Sequence, residues 1–197
     1  VFFRFPPWQS FAVVLELRST HSRHGQGPYA GGMLRFSRQN RYRVEEVSGR
    51  MITDVHHVSF TVSDMERSLE FYRDLLGFEV LDDRTVEGNF AETVTGLEGV
   101  RMRIIHLSGY GQGLELIQYL CASGQPQAPR TCDTGSAHLC YVVDDIQSEV
   151  SRLQERGVRF LSSVMRVEGG PNAGNSMVYF LDPDGIPMEF TQPASAG

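Results

Sequence analysis

Lysine is absent: every one of the 18 basic residues is arginine. A mechanism that needs a lysine amine, as a Schiff-base former or a general base, is therefore excluded within this chain. Cysteine is scarce. Cys121, Cys132 and Cys140 cannot close a disulfide framework, and their spacing matches no zinc finger, so a reducing, cytoplasmic setting is expected. Long apolar runs are missing as well. None approaches the ~20 residues of a membrane-spanning helix, and the early stretch from Phe11 to Leu17 is short and contains Glu16. Neither membrane insertion nor a secretory signal is expected. Nor is there an excess of positive charge, since the net formal charge is −6. Residues 1–50 are basic, with eight Arg against Glu16, Glu45 and Glu46, while residues 51–197 set ten Arg against twenty-one acids. The acidic bulk argues against a nucleic-acid groove.

Hydrophobic residues make up 41% and aromatics 10%, the composition of an ordinary globular protein. Residues 1–50 stand apart. They hold an F-P-P-W stretch, the Gly-rich run from His21 to Gly32 and an Arg-rich run from Arg35 to Arg43. Neither helical nor alternating periodicity persists there, so a poorly ordered basic extension is expected, with folded sequence beginning at Met51.

From there one unit is written twice. His57 opens H-V-S-F-T-V-S-D-M, and His138 opens H-L-C-Y-V-V-D-D-I, an offset of 81 residues that Val62/Val143 and Met65/Ile146 share. In the first copy Val55 to Val62 reads as a strand. Ser63 to Glu66 has the form of a capping box. Met65, Leu69, Tyr72, Leu75 and Leu76 follow at helical spacing, and Gly77 ends the helix. Strands are expected at Phe78 to Leu81, Val100 to Leu107 and Leu114 to Leu120. In the second copy Leu139 to Val143 is the strand, Asp144 with Gln147 a capping box, and Ile146, Val150 and Leu153 the apolar stripe before Gly157. Val158 to Leu161, Met177 to Leu181 and Pro187 to Thr191 are its further strands. Each copy reads βαβββ. The Asp182-Pro-Asp-Gly185 sequence predicts a tight turn that makes the last two strands a hairpin.

Each unit ends with a glutamate inside an apolar strand: Glu115 between Leu114 and Leu116, and Glu189 between Met188 and Phe190. Side chains alternate along a strand, so each Glu faces away from the core. A carboxylate on a mostly apolar surface needs a partner. Taken singly, a strand His is most often a packed or surface residue, and a strand Glu lies on a wet face. The matching places of His57, Glu115, His138 and Glu189 in two copies set them apart as four ligands for one divalent metal. Two neutral imidazoles and two carboxylates give a neutral inner shell, and this mixed N/O set suits Ni, Zn, Co, Mn or Fe. His56 is expected to point to the other face. His106 is a lesser candidate, and Cys140 a small packing residue or a thiol lining the pocket.

The run from His57 to Phe78, with L-E-L-I, G-S-A-H-L-C-Y-V-V-D-D-I and Y-F-L-D-P-D-G-I-P-M-E-F, resembles the vicinal oxygen chelate superfamily of glyoxalase I, methylmalonyl-CoA epimerase, extradiol dioxygenases and the fosfomycin and bleomycin resistance proteins. The resemblance spans about Met51 to Gln192. It implies an α+β fold of two paired βαβββ modules whose curved mixed sheets surround a metal site. It puts His57, Glu115, His138 and Glu189 on the metal-ligand positions, with the site inside one chain or shared between two subunits of a homodimer. The metal would grip two adjacent oxygens of a small-molecule substrate and stabilise an enediolate or enolate, with Glu189 or Glu115 as the catalytic carboxylate that moves the proton.

The implied function is a metal-dependent lyase or isomerase of the glyoxalase I and methylmalonyl-CoA epimerase kind. The alternatives are an Fe(II)-dependent extradiol-type dioxygenase and a non-catalytic resistance-type binding protein. The fourth candidate ligand, Glu115, tilts away from the two-His-one-Glu dioxygenases, and the lack of lysine tilts away from the fosfomycin branch. The expected organisation is an extension over residues 1–50, module 1 over 51–122, a linker over 123–135, module 2 over 136–192 and a tail over 193–197.

Overall fold

The computed structural model describes residues 55–121, 124–125 and 129–194. The basic extension, Met51 and the last three residues, on which expectations were also placed, lie outside the described residues.

The first module runs β1 (Val58–Thr61), α1 (Met65–Leu69), a π-helical continuation (Glu70–Leu75), β2 (Glu79–Glu87), α2 (Asn89–Thr95), β3 (Arg101–Gly109) and β4 (Gln112–Tyr119). The second runs β5 (Leu139–Val142), α3 (Ile146–Glu155), β6 (Met165–Arg166), β7 (Ser176–Leu181) and β8 (Pro187–Gln192). Each module forms a four-stranded mixed sheet, in the orders β1-β4-β3-β2 and β5-β8-β7-β6. In both, the opening strand pairs in parallel with the closing strand, and the remaining pairs are antiparallel. This is the glyoxalase-like α+β fold, two βαβββ units in sequence.

Both helix starts fall one residue later than the capping boxes predict. Asp64 caps α1 by accepting from Arg67 N, and Asp145 caps α3 by accepting from Gln147 N and Ser148 N. Ser63 is thereby released to bond elsewhere. Its backbone N–H donates to Asp184 Oδ2 at 2.9 Å, across the modules. The π-helical turn also changes the expected stripe. Wider bonds run from Leu76 N to Phe71 O and from Phe78 N to Tyr72 O, both 3.0 Å. They bring the adjacent residues Phe71 and Tyr72 into the core together. Gly77, at φ +80°, then ends the segment.

Other differences lie at strand ends. The strand expected from Val55 begins only at Val58. The strand expected at 158–161 reduces to one bridge, Phe160 to Phe180. The helix α2 and the two-residue β6 have no counterpart in the expectation.

The two modules share one core. Tyr72, Leu107 and Leu116 from the first pack in the same cluster as Leu153, Phe180 and Phe190 from the second. Burial of each such side chain contributes about 1.5–3 kcal/mol. The face of each sheet turned away from this core carries the remaining alternate residues. In the first module one end of that face is covered: Ala91 of α2 is buried with Met102 and Ile104. Among the described residues, no helix is long and apolar enough to cross a membrane.

Candidate metal centre

The backbone brings the first His–Glu pair together through strand pairing. Parallel β1 and β4 align Val58 with Leu114 and Ser59 with Glu115. His57, one residue before the strand, comes to lie beside Gly113. That glycine is required by the close approach of the chains: a Cβ there would meet the His56 carbonyl oxygen at 2.5 Å. As a result His57 Nε2 lies 3.5 Å from Glu115 Oε1.

The second pair is built alike. Parallel β5 and β8 align Cys140 with Glu189, and His138 Nε2 lies 3.1 Å from Glu189 Oε2. The glutamate side chains are each 12% exposed. Leu114, Leu116, Met188 and Phe190 beside them fill the core, so both carboxylates face the opposite side, as alternation predicts.

The structure thus joins His57 to Glu115 and His138 to Glu189, but it does not join the four. Among the described residues no group of three or more His, Cys, Asp or Glu side chains is placed to hold a metal ion within the one chain. The chemistry of the donors fits a divalent ion nonetheless. Each nearly buried carboxylate has only imidazoles as ionic partners among the described residues, and a neutral imidazole leaves the negative charge uncompensated. The chain presents two half-sites of identical composition.

Each glutamate also has a neighbour in the adjacent antiparallel strand. In the first module that neighbour is His106, aligned with Glu115, with Nε2 3.1 Å from Glu115 Oε2. In the second it is Tyr179, aligned with Glu189. Burial, followed by the Glu189 charge, pushes the Tyr179 hydroxyl up to about 12. Cys140 is aligned with Glu189 across the parallel pair, and its thiol is pushed up to about 12 by burial first and by the Glu189 charge second. Both groups therefore stay protonated near neutral pH.

His56 differs from expectation. Its Nδ1 meets His57 Nδ1 at 2.6 Å, and its ring lies 4.9 Å from the His57 ring and 6.5 Å from that of His106. Strand alternation does not govern it, because β1 starts two residues later. Asp82 and Tyr179 are the site residues that the sequence reading passed over. For Tyr179 the signal was the turn before Pro187, from which its partner on the facing strand follows by counting; Asp82 had no such signal, because α2 separates β2 from β3 and the register shifts beside it.

The sequence profile of the glyoxalase/bleomycin resistance protein/dioxygenase superfamily matches residues 54–190. The chain belongs to that superfamily. It is 30% identical over 148 residues to the 2-epi-5-epi-valiolone epimerase of an Actinomyces species, covering 72% of this chain and 81% of that protein. It is 31% identical over 135 residues to the ethylmalonyl-CoA/methylmalonyl-CoA epimerase of Cereibacter sphaeroides, covering 68% of this chain and 90% of that protein. Its fold is that of a glyoxalase family protein from Bacillus cereus, with a TM-score of 0.67 and 21% identity over 76% of this chain and 99% of the other.

Proposed function

We propose that this chain is a metal-dependent isomerase or lyase of the glyoxalase superfamily, acting on a small molecule with an acidic C–H beside a carbonyl and a second oxygen next to it. The observation that carries the reading is the repeated His–Glu pair. His57 with Glu115 and His138 with Glu189 occupy the same register positions in both modules, on the sheet face turned away from the core. Kinship to two epimerases at 30% and 31% identity supports the isomerase side.

The four residues would hold one divalent ion. When bound, such an ion supplies Lewis-acid stabilisation of negative charge developing on substrate oxygen. Each half-site on its own offers two donors, so the complete set is proposed to form when the first module of one chain meets the second module of another in a homodimer. Imidazoles contribute neutral donors, and carboxylates balance the charge. One of the two carboxylates, Glu189 or Glu115, also carries the proton between substrate positions. The apolar surface formed by Met102, Ile104 and α2 shields one end of the face from water, which strengthens electrostatic interactions there. The three free cysteines support a reducing, cytoplasmic setting.

The test is metal analysis of the purified protein together with solvent deuterium exchange, followed by NMR, on 2-methyl acyl thioesters and 2-oxoaldehyde thioadducts. Metal-dependent deuterium uptake next to the carbonyl is expected, and it should be lost in both E115Q and E189Q, because each removes a carboxylate proposed to hold the ion. A protein that takes up no divalent ion, or that exchanges no proton with any ion supplied, contradicts the proposal.

A further inference from the structure

Three strands of the first module carry a line of polar side chains on one face. Asp82 of β2 is aligned with His106 of β3, and His106 with Glu115 of β4. The His106 ring lies between two carboxylates. Nδ1 lies 3.5 Å from Asp82 Oδ2, and Nε2 lies 3.1 Å from Glu115 Oε2. Asp82 Oδ2 is in turn gripped by Arg84. The two oxygens of Glu115 are thereby divided: Oε2 faces His106, and Oε1 faces His57.

We propose that His106, braced by Asp82 and Arg84, is a positioning residue that fixes the Glu115 carboxylate so that Oε1 is presented to a divalent ion. The assignment rests on Glu115 being a metal ligand, as proposed above. An imidazole set between the Asp82 and Glu115 carboxylates has little room to turn, so it restrains the carboxylate that its Nε2 touches. Ordering the carboxylate in advance removes part of the entropic cost of binding. Partners that orient a metal ligand in this way typically govern affinity by roughly 10–100-fold. The side chain of His106 is mostly covered but lies off the main core cluster, so its truncation does not open that core.

Full-length protein is freed of metal with a chelator and titrated with Co(II), by calorimetry and by the visible absorption that reports cobalt geometry. H106A is expected to bind Co(II) roughly 10–100-fold more weakly than the parent, with an altered cobalt band and an unchanged melting temperature of the metal-free protein. In H106Q the amide nitrogen replaces the Nε2 donor and most of the affinity returns. D82N gives a smaller loss. If H106A does not fold, H106Q is compared with H106L, and only H106Q should retain tight binding. Binding by H106A within about twofold of the parent, or equal binding by H106Q and H106L, overturns the assignment of His106 alone. A parent protein that binds no Co(II), or an E115Q variant that binds it as tightly as the parent, overturns the ligand role of Glu115 and this inference with it.

Discussion

The Tyr72 hydroxyl donates a 2.9 Å hydrogen bond to Asp182 Oδ2 and so ties the helical segment of the first module to the hairpin turn of the second. Both residues are buried. The other carboxylate oxygen accepts from Asp184 N at 2.9 Å and Ile186 N at 2.7 Å. Removing one of these three donors leaves a buried carboxylate short of a partner. Tyr72→Phe keeps the ring and its packing, and a loss of about 1–3 kcal/mol is expected, read from chemical denaturation. Packing in this core sets a larger scale: Phe180→Ala should cost about 3–5 kcal/mol.

The same carboxylate shapes the pH dependence of stability. Burial raises the Asp182 acid above its usual range, against the pull of its hydrogen bonds. A carboxyl group with a raised folded-state pKa binds protons more tightly folded than unfolded. Its contribution to stability therefore falls as pH rises from the ordinary carboxylate range through the raised value. Asp182→Asn removes that titration. The stability of Asp182→Asn relative to the parent should rise over this window and then level off towards neutrality. A relative stability that stays flat, or falls, would refute it.

At the other half-site the Cys140 thiol is held up to about 12. Near neutral pH its thiolate is then a very small minority, and only the thiolate is alkylated at a useful rate. Iodoacetamide labelling followed by peptide mass spectrometry should find Cys140 slow to react. Glu189→Gln removes the neighbouring charge, which lowers the thiol pKa, and labelling of Cys140 should become several-fold faster. An unchanged rate would mean that Cys140 and Glu189 are not in electrostatic contact.

The fold was legible because its periodicity repeats. The 81-residue offset from His57 to His138 is kept by the caps Asp64 and Asp145 and by the strand starts Val58 and Leu139. Duplicated placement and strand alternation marked His57, Glu115, His138 and Glu189 as a set, while which His stands beside which Glu came from the strand register. The neighbours of the glutamates were within reach by counting. The Asp182–Gly185 turn sets Leu181 opposite Pro187, and two steps along, Tyr179 stands opposite Glu189. The tight turn at Tyr110 and Gly111 sets Gly109 opposite Gln112, and three steps along, His106 stands opposite Glu115.

What the sequence hid depends on contacts between modules. The π-helical turn exists because Phe71 and Tyr72 both find space in a core supplied partly by the second module. Ser63 leaves its predicted cap because Asp184, 121 residues away, takes its N–H. The short α2 has no strong apolar stripe of its own: Phe90 and Val94 are exposed, and Ala91 alone is buried.

Gly113 offers a backbone test of the site. The space its missing side chain leaves is filled by the His56 carbonyl. Gly113→Ala should push the start of β1 outward, separate His57 from Glu115 and weaken metal binding. Gly88→Ala is a control of a different kind, because open space surrounds that position but its φ of +80° adds strain. It should lower stability without specifically lowering metal affinity. Equal metal affinity in Gly113→Ala and the parent would contradict the role given to this close approach.

The central claim, that one metal site is assembled from half-sites of two chains, is tested most directly by complementation. One variant, His57→Ala with Glu115→Ala, loses the first half-site. The other, His138→Ala with Glu189→Ala, loses the second. The two are unfolded and refolded together, and metal is counted per heterodimer by calorimetry against each variant alone. The account predicts that neither variant binds tightly and that the mixture regains about one site per heterodimer. A mixture that binds no more metal than the separate variants, while the parent protein binds it, would contradict the account.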